Sequence, residues 1–176
     1  MIVPETILSK VFEQLPPVAY FDKNKGASTI PVKFDYGNQD DLNLYMEKEL
    51  GNKTPLVWLV QGAKVDRESS QNRFPLKLVI AKDSEQKTAR NKKVWNTEIS
   101  VYLDPLLENV RRCLKSSNIG FIVNDTDKVY REANYSETDG KSTKTIDHWN
   151  VITFECDYEF YPTASVDCVK QINFNL

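Results

Sequence analysis

Residues 149–161 read WNVITFECDYEFY, and their alternation decides the fold. Even positions hold Ile152, Phe154, Cys156, Tyr158 and Phe160, while odd positions hold Thr153, Glu155, Asp157 and Glu159. A period of two over this length predicts a long strand with one face on a core and the other in water. The wet face of that strand is almost purely acidic. Acids are poor strand formers, so either strong packing on the opposite face carries the pattern or the acid ladder has a use.

Upstream lies the segment that should cover the apolar face. Asp104-Pro105 is a helix start, with Asp104 as cap and Pro105 at the first helical position, and Leu106, Leu107, Val110, Cys113 and Leu114 follow as one apolar stripe. Arg111, Arg112 and Lys115 sit toward the end of that helix, where its dipole favours cations, and Asn118–Gly120 ends it. Phe121–Val123 reads as a short strand. Residues 125–147 are polar, with Asp139-Gly140 as a turn and Val129–Tyr135 as a hairpin arm.

Further toward the N-terminus, Pro4–Leu15 forms an amphipathic pattern through Ile7, Leu8, Val11, Phe12 and Leu15, stopped by Pro16-Pro17. Val18–Phe21 and Ile30–Tyr36 read as two strands around a turn containing Gly26. Asn38–Leu50 reads as a helix capped by Asn38 or Asp40, with Leu42, Tyr45, Met46 and Leu50 inward. The run LVWLV at Leu56–Val60 predicts a strand covered on both faces, with Trp58 in the core. Gln61–Asn72 reads as a loop, Phe74–Ala81 as an apolar strand, and Lys82–Thr97 as a long basic loop. The short apolar run Ile99–Leu103 begins a helix or forms a strand. Together these predict an α+β domain spanning 1–176: a mainly antiparallel, mixed-order sheet with two or three amphipathic helices packed on one face.

The chain has 176 residues, 40% apolar and 27% charged, with a formal net charge of −2, which fits a globular domain and gives no sign of a nucleic-acid binder. No apolar run approaches the about 18 residues that span a membrane, and the N-terminus lacks the basic and small-residue features of a signal peptide. The three cysteines are widely spaced, which argues against a disulfide framework. Cys113 and Cys156 fall on apolar faces and read as small buried hydrophobes in a reducing compartment.

The sequence offers little for catalysis. The single histidine, His148, reads as a structural residue before the last strand. No metal-ligand spacing, phosphate-binding glycine loop or nucleophile elbow occurs, so the expectation is no catalytic residue, no metal and no cofactor. Asp125-Thr126-Asp127 resembles the opening of a calcium loop but lacks its glycine and distal Glu, and reads as a turn. Glu155 with Asp157 has a spacing compatible with a carboxylate pair. Lys87, Arg90, Lys92, Lys93 and Trp95 form a candidate partner-contact loop, in which an exposed Trp would anchor an interface.

The order of these segments resembles the small tail-terminator and head–tail joining proteins of tailed bacteriophages. The residues that carry the likeness are the N-terminal helix stopped by Pro16-Pro17, the buried run Pro55–Val60, and Arg73–Ala81. After a polar loop come the helix VYLDPLLENVRRCLKSS and the final strand DHWNVITFECDYEFY. The resemblance implies a non-enzymatic virion protein, assembled in the host cytoplasm, whose protomers form a ring, usually of six. Its partners would be copies of itself and the portal, neck and tail-tube proteins. DNA would be only a passing cargo, and no membrane is involved. In such a ring Glu155, Asp157 and Glu159 are candidate lumen-facing acids, because like charge repels phosphate. The alternatives are a monomeric or dimeric protein-binding module, and a small hydrolase using Glu155, Asp157 or His148.

Overall fold

The computed structural model describes residues 3–22, 26–48, 55–61, 72–83, 93, 95–135 and 149–174. The organising strand is β8, Trp149–Phe160, the acid-striped segment. Its even side chains Ile152, Phe154, Tyr158 and Phe160 are buried in the main core. Strand β5, Arg73–Asp83, pairs antiparallel with β8 along its whole length, from Arg73 opposite Glu159 to Asp83 opposite Trp149. Beyond β5 lies β4, Leu56–Val60, antiparallel to it, and then β3, Lys33–Gly37, parallel to β4. On its other side β8 is shared by two shorter strands. Residues 158–160 pair with β6, Gly120–Ile122, and residues 149–155 pair with β7, Lys128–Tyr135. The fold is α+β, with a mixed six-stranded sheet of mostly antiparallel strands.

Helix α1, Pro4–Phe12, buries Ile7, Leu8, Val11 and Phe12 on one face of this sheet. Helix α4, Asp104–Ser116, buries Leu106, Leu107, Val110, Cys113 and Leu114 on the same face, as the stripe requires. Both read as sequence patterns predict, because an apolar stripe at helical period has one place to go. Tyr158 donates its hydroxyl proton to the Leu114 carbonyl at 2.9 Å, joining strand to helix end. The opposite face carries α2, Gln39–Lys48, over a second core of Leu42, Met46, Leu56, Trp58, Val79, Ala81, Trp149 and Val151. That accounts for LVWLV: Val57 and Leu59 enter one core, Leu56 and Trp58 the other. Asn38 caps α2 reciprocally, taking the Asp41 N–H at 2.9 Å while Asp41 takes the Asn38 N–H at 3.0 Å.

Three local readings are corrected. The second N-terminal strand is two strands. β1, Val18–Asp22, and β2, Gly26–Ile30, form a hairpin sheet of their own, and β3 starts afresh at Lys33. Pro31 has no N–H to continue a ladder, so the chain breaks there. The basic loop is shorter than Lys82–Thr97. β5 runs on to Asp83, and Trp95 opens α3, a π-helical segment over Trp95–Leu103. Lys82 is buried, with its ammonium 5.1 Å from the centre of the Tyr102 ring, so this lysine belongs to the packed body. Asp104 is not an N-cap, because α3 runs directly into α4 with Leu103 in helical geometry. Its carboxylate instead accepts a 2.8 Å hydrogen bond from Arg131 Nε on β7. The tail after Pro162 is a short 3-10 turn, Val166–Cys168, and an irregular strap that buries Ile172.

Candidate functional site

Helix α2 covers only one end of its face of the sheet. Among the described residues no helix covers the other end, where β5, β8, β6 and β7 meet, and the acid ladder lies there. Glu155, Asp157 and Glu159 are all half-buried. They do not stand alone. Lys77, opposite Glu155 on β5, holds its ammonium 3.4 Å from that carboxylate. Lys128 stands opposite Glu155 on β7. The guanidinium of Arg73 lies 3.9 Å from Asp157. The ladder is thus one row of a mixed-charge lattice in which Arg73, Lys77 and Lys128 interleave with the carboxylates. The face read as acidic from one strand is nearly charge-balanced once its neighbours are placed.

A depression of about 500 Å³ is lined by Pro75, Lys77, Asp125, Thr126, Lys128, Glu155 and Asp157. Its far wall is the turn between β6 and β7, which is tied to β8 at a single residue. Asp157 O accepts the Val123 N–H at 2.9 Å, and Asp157 N donates to Thr126 Oγ1 at 3.1 Å. Asp125 takes a positive φ of 61°, so the DTD segment is a turn, as its sequence suggests. Asp127 leaves the depression to pair with Arg111 of α4 at 2.9 Å. Cys156 lies beneath the floor. Burial, reinforced by the carboxylates of Asp127 and Asp157, pushes its thiol up to about 12, so the floor presents no thiolate at neutral pH.

At the rim the sheet exposes aromatic rings. Phe121 on β6 and Tyr161 beyond β8 have ring centroids 6.1 Å apart, and both are exposed. Tyr130 on β7 is 54% exposed. Tyr130 stands opposite Thr153, apart from the Phe121–Tyr161 pair, since Phe121 stands opposite Glu159. The exposed pair was not anticipated from sequence: Phe121 reads as an ordinary strand residue, and only its position on the edge strand β6 exposes it. Of the candidate contact residues, Lys93 and Trp95 are exposed, the latter at the start of α3, whereas Lys87, Arg90 and Lys92 lie outside the described residues. His148 also lies outside them. Trp58 is buried, as its run predicts, and donates its indole N–H to Gly37 O at 3.3 Å.

Among the described residues no group of three or more His, Cys, Asp or Glu side chains is arranged to hold a metal ion. Among them, too, no helix is long and apolar enough to cross a membrane. No protein-family model matches the chain, and no curated protein matches it. The class defined by fold and surface is an α+β domain with a mixed-charge trough and an exposed Phe121–Tyr161 pair at the sheet edge.

Proposed function

We propose that this chain is a structural virion protein whose copies close into a ring, of about six by the resemblance, at the head–tail neck or tail end of a tailed bacteriophage. The observation that supports it is the order of elements. A proline-stopped helix, a doubly buried strand, the long β5, the helix opened by Asp104-Pro105 and the acid-striped β8 stand in the order that the resemblance reads. The ring would complete the tail and let DNA pass through its lumen, with portal, neck and tail-tube proteins as neighbours. Glu155, Asp157 and Glu159 enter this reading in altered form. With Arg73 and Lys77 in ion pairs beside them, they give a near-neutral wall that neither grips phosphate nor repels it strongly.

A second reading, a monomeric or dimeric protein-binding module, is favoured by the exposed Phe121–Tyr161 pair, since aromatic residues anchor interfaces. The hydrolase reading would require carboxylates that are already engaged by Lys77 and Arg73. A reconstruction of the virion tests the proposal. Density for this chain as a closed ring around the DNA path at the neck or tail end is the expected result. A virion in which the chain occupies no ring overturns it.

A further inference from the structure

Two features of the molecule have no covering element among the described residues, and they lie toward opposite edges of the sheet. The first is the β1–β2 hairpin. It forms a separate two-stranded sheet, paired from Val18 with Ile30 to Asp22 with Gly26. Its root is fastened, since Val18 packs against the main core. Farther out, Ala19, Ala27, Ser28 and Thr29 are exposed. An isolated two-stranded hairpin is marginally stable in water and gains order by packing on a further surface. The strands VAYFD and GASTI hold a single residue charged at neutral pH, Asp22, so they are well suited to lying against apolar groups. Gly26, at φ +81° with open space around its Cα, lets the second strand begin.

The second feature is the β6–β7 edge: Phe121, opposite Glu159, and Tyr161 mark one exposed end and Tyr130, opposite Thr153, the other, about 20 Å along β8 by strand rise, with Lys128, opposite Glu155, between them and in no ion pair among the described residues. The hairpin leads directly into β3, the other edge of the sheet. The strand order β3-β4-β5-β8-β6 separates the two edges by four strand spacings, about 19 Å at the usual interstrand distance. The two sheet edges also differ in how they meet a new strand. On β3, residues 33 and 37 bond toward β4, so the Tyr36 N–H points outward, and the Asp35 carboxylate caps it at 2.9 Å. This blunts the β3 edge against strand addition. No such cap is seen on the described residues of β7, which is eight residues long.

We propose that the β1–β2 hairpin is an arm that docks on the Phe121–Tyr130–Tyr161 edge of a second copy of this chain. The inference rests on the ring reading for its choice of occupant. Arm and acceptor lie on opposite edges of one protomer, so each copy gives its arm to one neighbour and receives an arm from the other. Such a heterologous, head-to-tail contact closes into a ring when its rotation closes. Asp22 in the arm is opposite in sign to Lys128 at the acceptor, which favours this pairing over two arms or two rims meeting.

The test is disulfide trapping between two separately made variants. One carries Ser28→Cys in the arm, the other Phe121→Cys at the rim, both with Cys168→Ser because Cys168 is exposed while Cys113 and Cys156 are buried. Tyr130→Cys replaces the rim variant if Phe121→Cys fails to fold. Mild oxidation of the mixture should give a crosslinked heterodimer, with at least tenfold less crosslinking in either variant alone. A chain with both cysteines should give a ladder ending at the ring size. Ser28→Glu with Thr29→Glu should keep the thermal transition and lose self-association in light scattering. If copies associate but the mixed pair stays uncrosslinked, the arm contact is overturned and the ring reading stands. If the pair crosslinks but the doubly substituted chain stops at a dimer, the arm contact stands and the ring reading falls. A chain that stays monomeric and uncrosslinked at high concentration overturns the arm contact.

Discussion

The side-chain oxygen of Gln14 accepts the backbone N–H of Ile172 at 2.8 Å, across 158 residues of chain. The same amide donates through Nε2 to Lys170 O at 3.2 Å, so one glutamine replaces a stretch of strand ladder for the C-terminal strap. Lys170 N is held by Ser117 O at 3.0 Å, and Arg112 reaches the Phe174 carbonyl at 3.2 Å. The strap thereby closes Ile172 over the α1–α4 side of the core. Gln14→Ala should loosen it. The expected cost is about 1–2 kcal/mol, for two hydrogen bonds of typical net strength. Urea unfolding reads the stability, and amide exchange should speed selectively at Ile172. Equal exchange in both proteins would show that the apolar contacts alone hold the strap.

The charge lattice makes a sharper forecast for β8 than an acidic ladder would. If Glu155 faced only water, reversing it would cost little. With Lys77 and Lys128 opposite it on both neighbouring strands, Glu155→Lys places three ammonium groups in one cross-strand row. The expected loss is about 0.5–1 kcal/mol, larger at low salt, because like charges directly opposite destabilise a sheet. Lys77→Glu combined with Glu155→Lys should recover most of it. A double variant no more stable than the sum of its parts would mean the 3.4 Å pair contributes nothing.

What could be read from sequence follows a physical divide. β8, α4 and LVWLV were legible because burial imposes a period on residues close in the chain. Leu107, Phe154 and Trp58 are each buried as their patterns require. The charge environment of the acid ladder was not legible. The partners of Glu155 are Lys77 and Lys128, and only strand register brings them together. The same is true of Lys82. Within a basic segment it reads as solvated, yet it lies opposite Asn150 in a buried polar group, where Asn150 donates to Glu98 of α3. Asp104-Pro105 misled for a local reason: a preceding helix supplies what a cap would have supplied, and frees Asp104 for Arg131. The exposed rim at Phe121 depends on β6 being an edge, which is a property of topology alone.

Two substitutions probe how the sheet is held under α4. Leu107 is 1% exposed and shares the core with Phe154 and Phe160. Leu107→Ala should cost about 2–5 kcal/mol through lost burial and the cavity left behind. Gly120 opens β6, and a Cβ added there would run into the backbone carbonyl oxygen of Glu159 on β8. Gly120→Ala should therefore unpair β6 and shift the Phe121 ring, lowering stability by at least as much as a typical core truncation (about 2 kcal/mol). Chemical denaturation measures both. A near-neutral Gly120→Ala would mean that β6 is displaced at little cost and that the aromatic rim is not rigidly placed.

Two buried thiols and a buried phenol favour the folded state in their neutral forms and so make it sensitive to alkali. Burial raises Cys113 from 9.0 to about 12, opposed slightly by Arg112, and burial with two nearby carboxylates raises Cys156 from 9.0 to about 12. Burial also pushes the Tyr158 phenol above its ordinary value of 10.0. Each of these groups is neutral when protonated, and the fold favours that neutral form. The stability they contribute is fully present below pH 9.0, the ordinary thiol value, and is lost as pH climbs toward about 12. Thermal unfolding should show a Tm insensitive to these groups up to pH 9.0 and falling steadily above it. Cys113→Ala with Cys156→Ala should flatten the early part of that fall while lowering stability at neutral pH through lost packing. A thiol reagent at neutral pH should modify Cys168 alone in the native protein and all three cysteines after denaturation. Fast native modification of Cys156 would show that the floor beneath the charged trough opens to solvent.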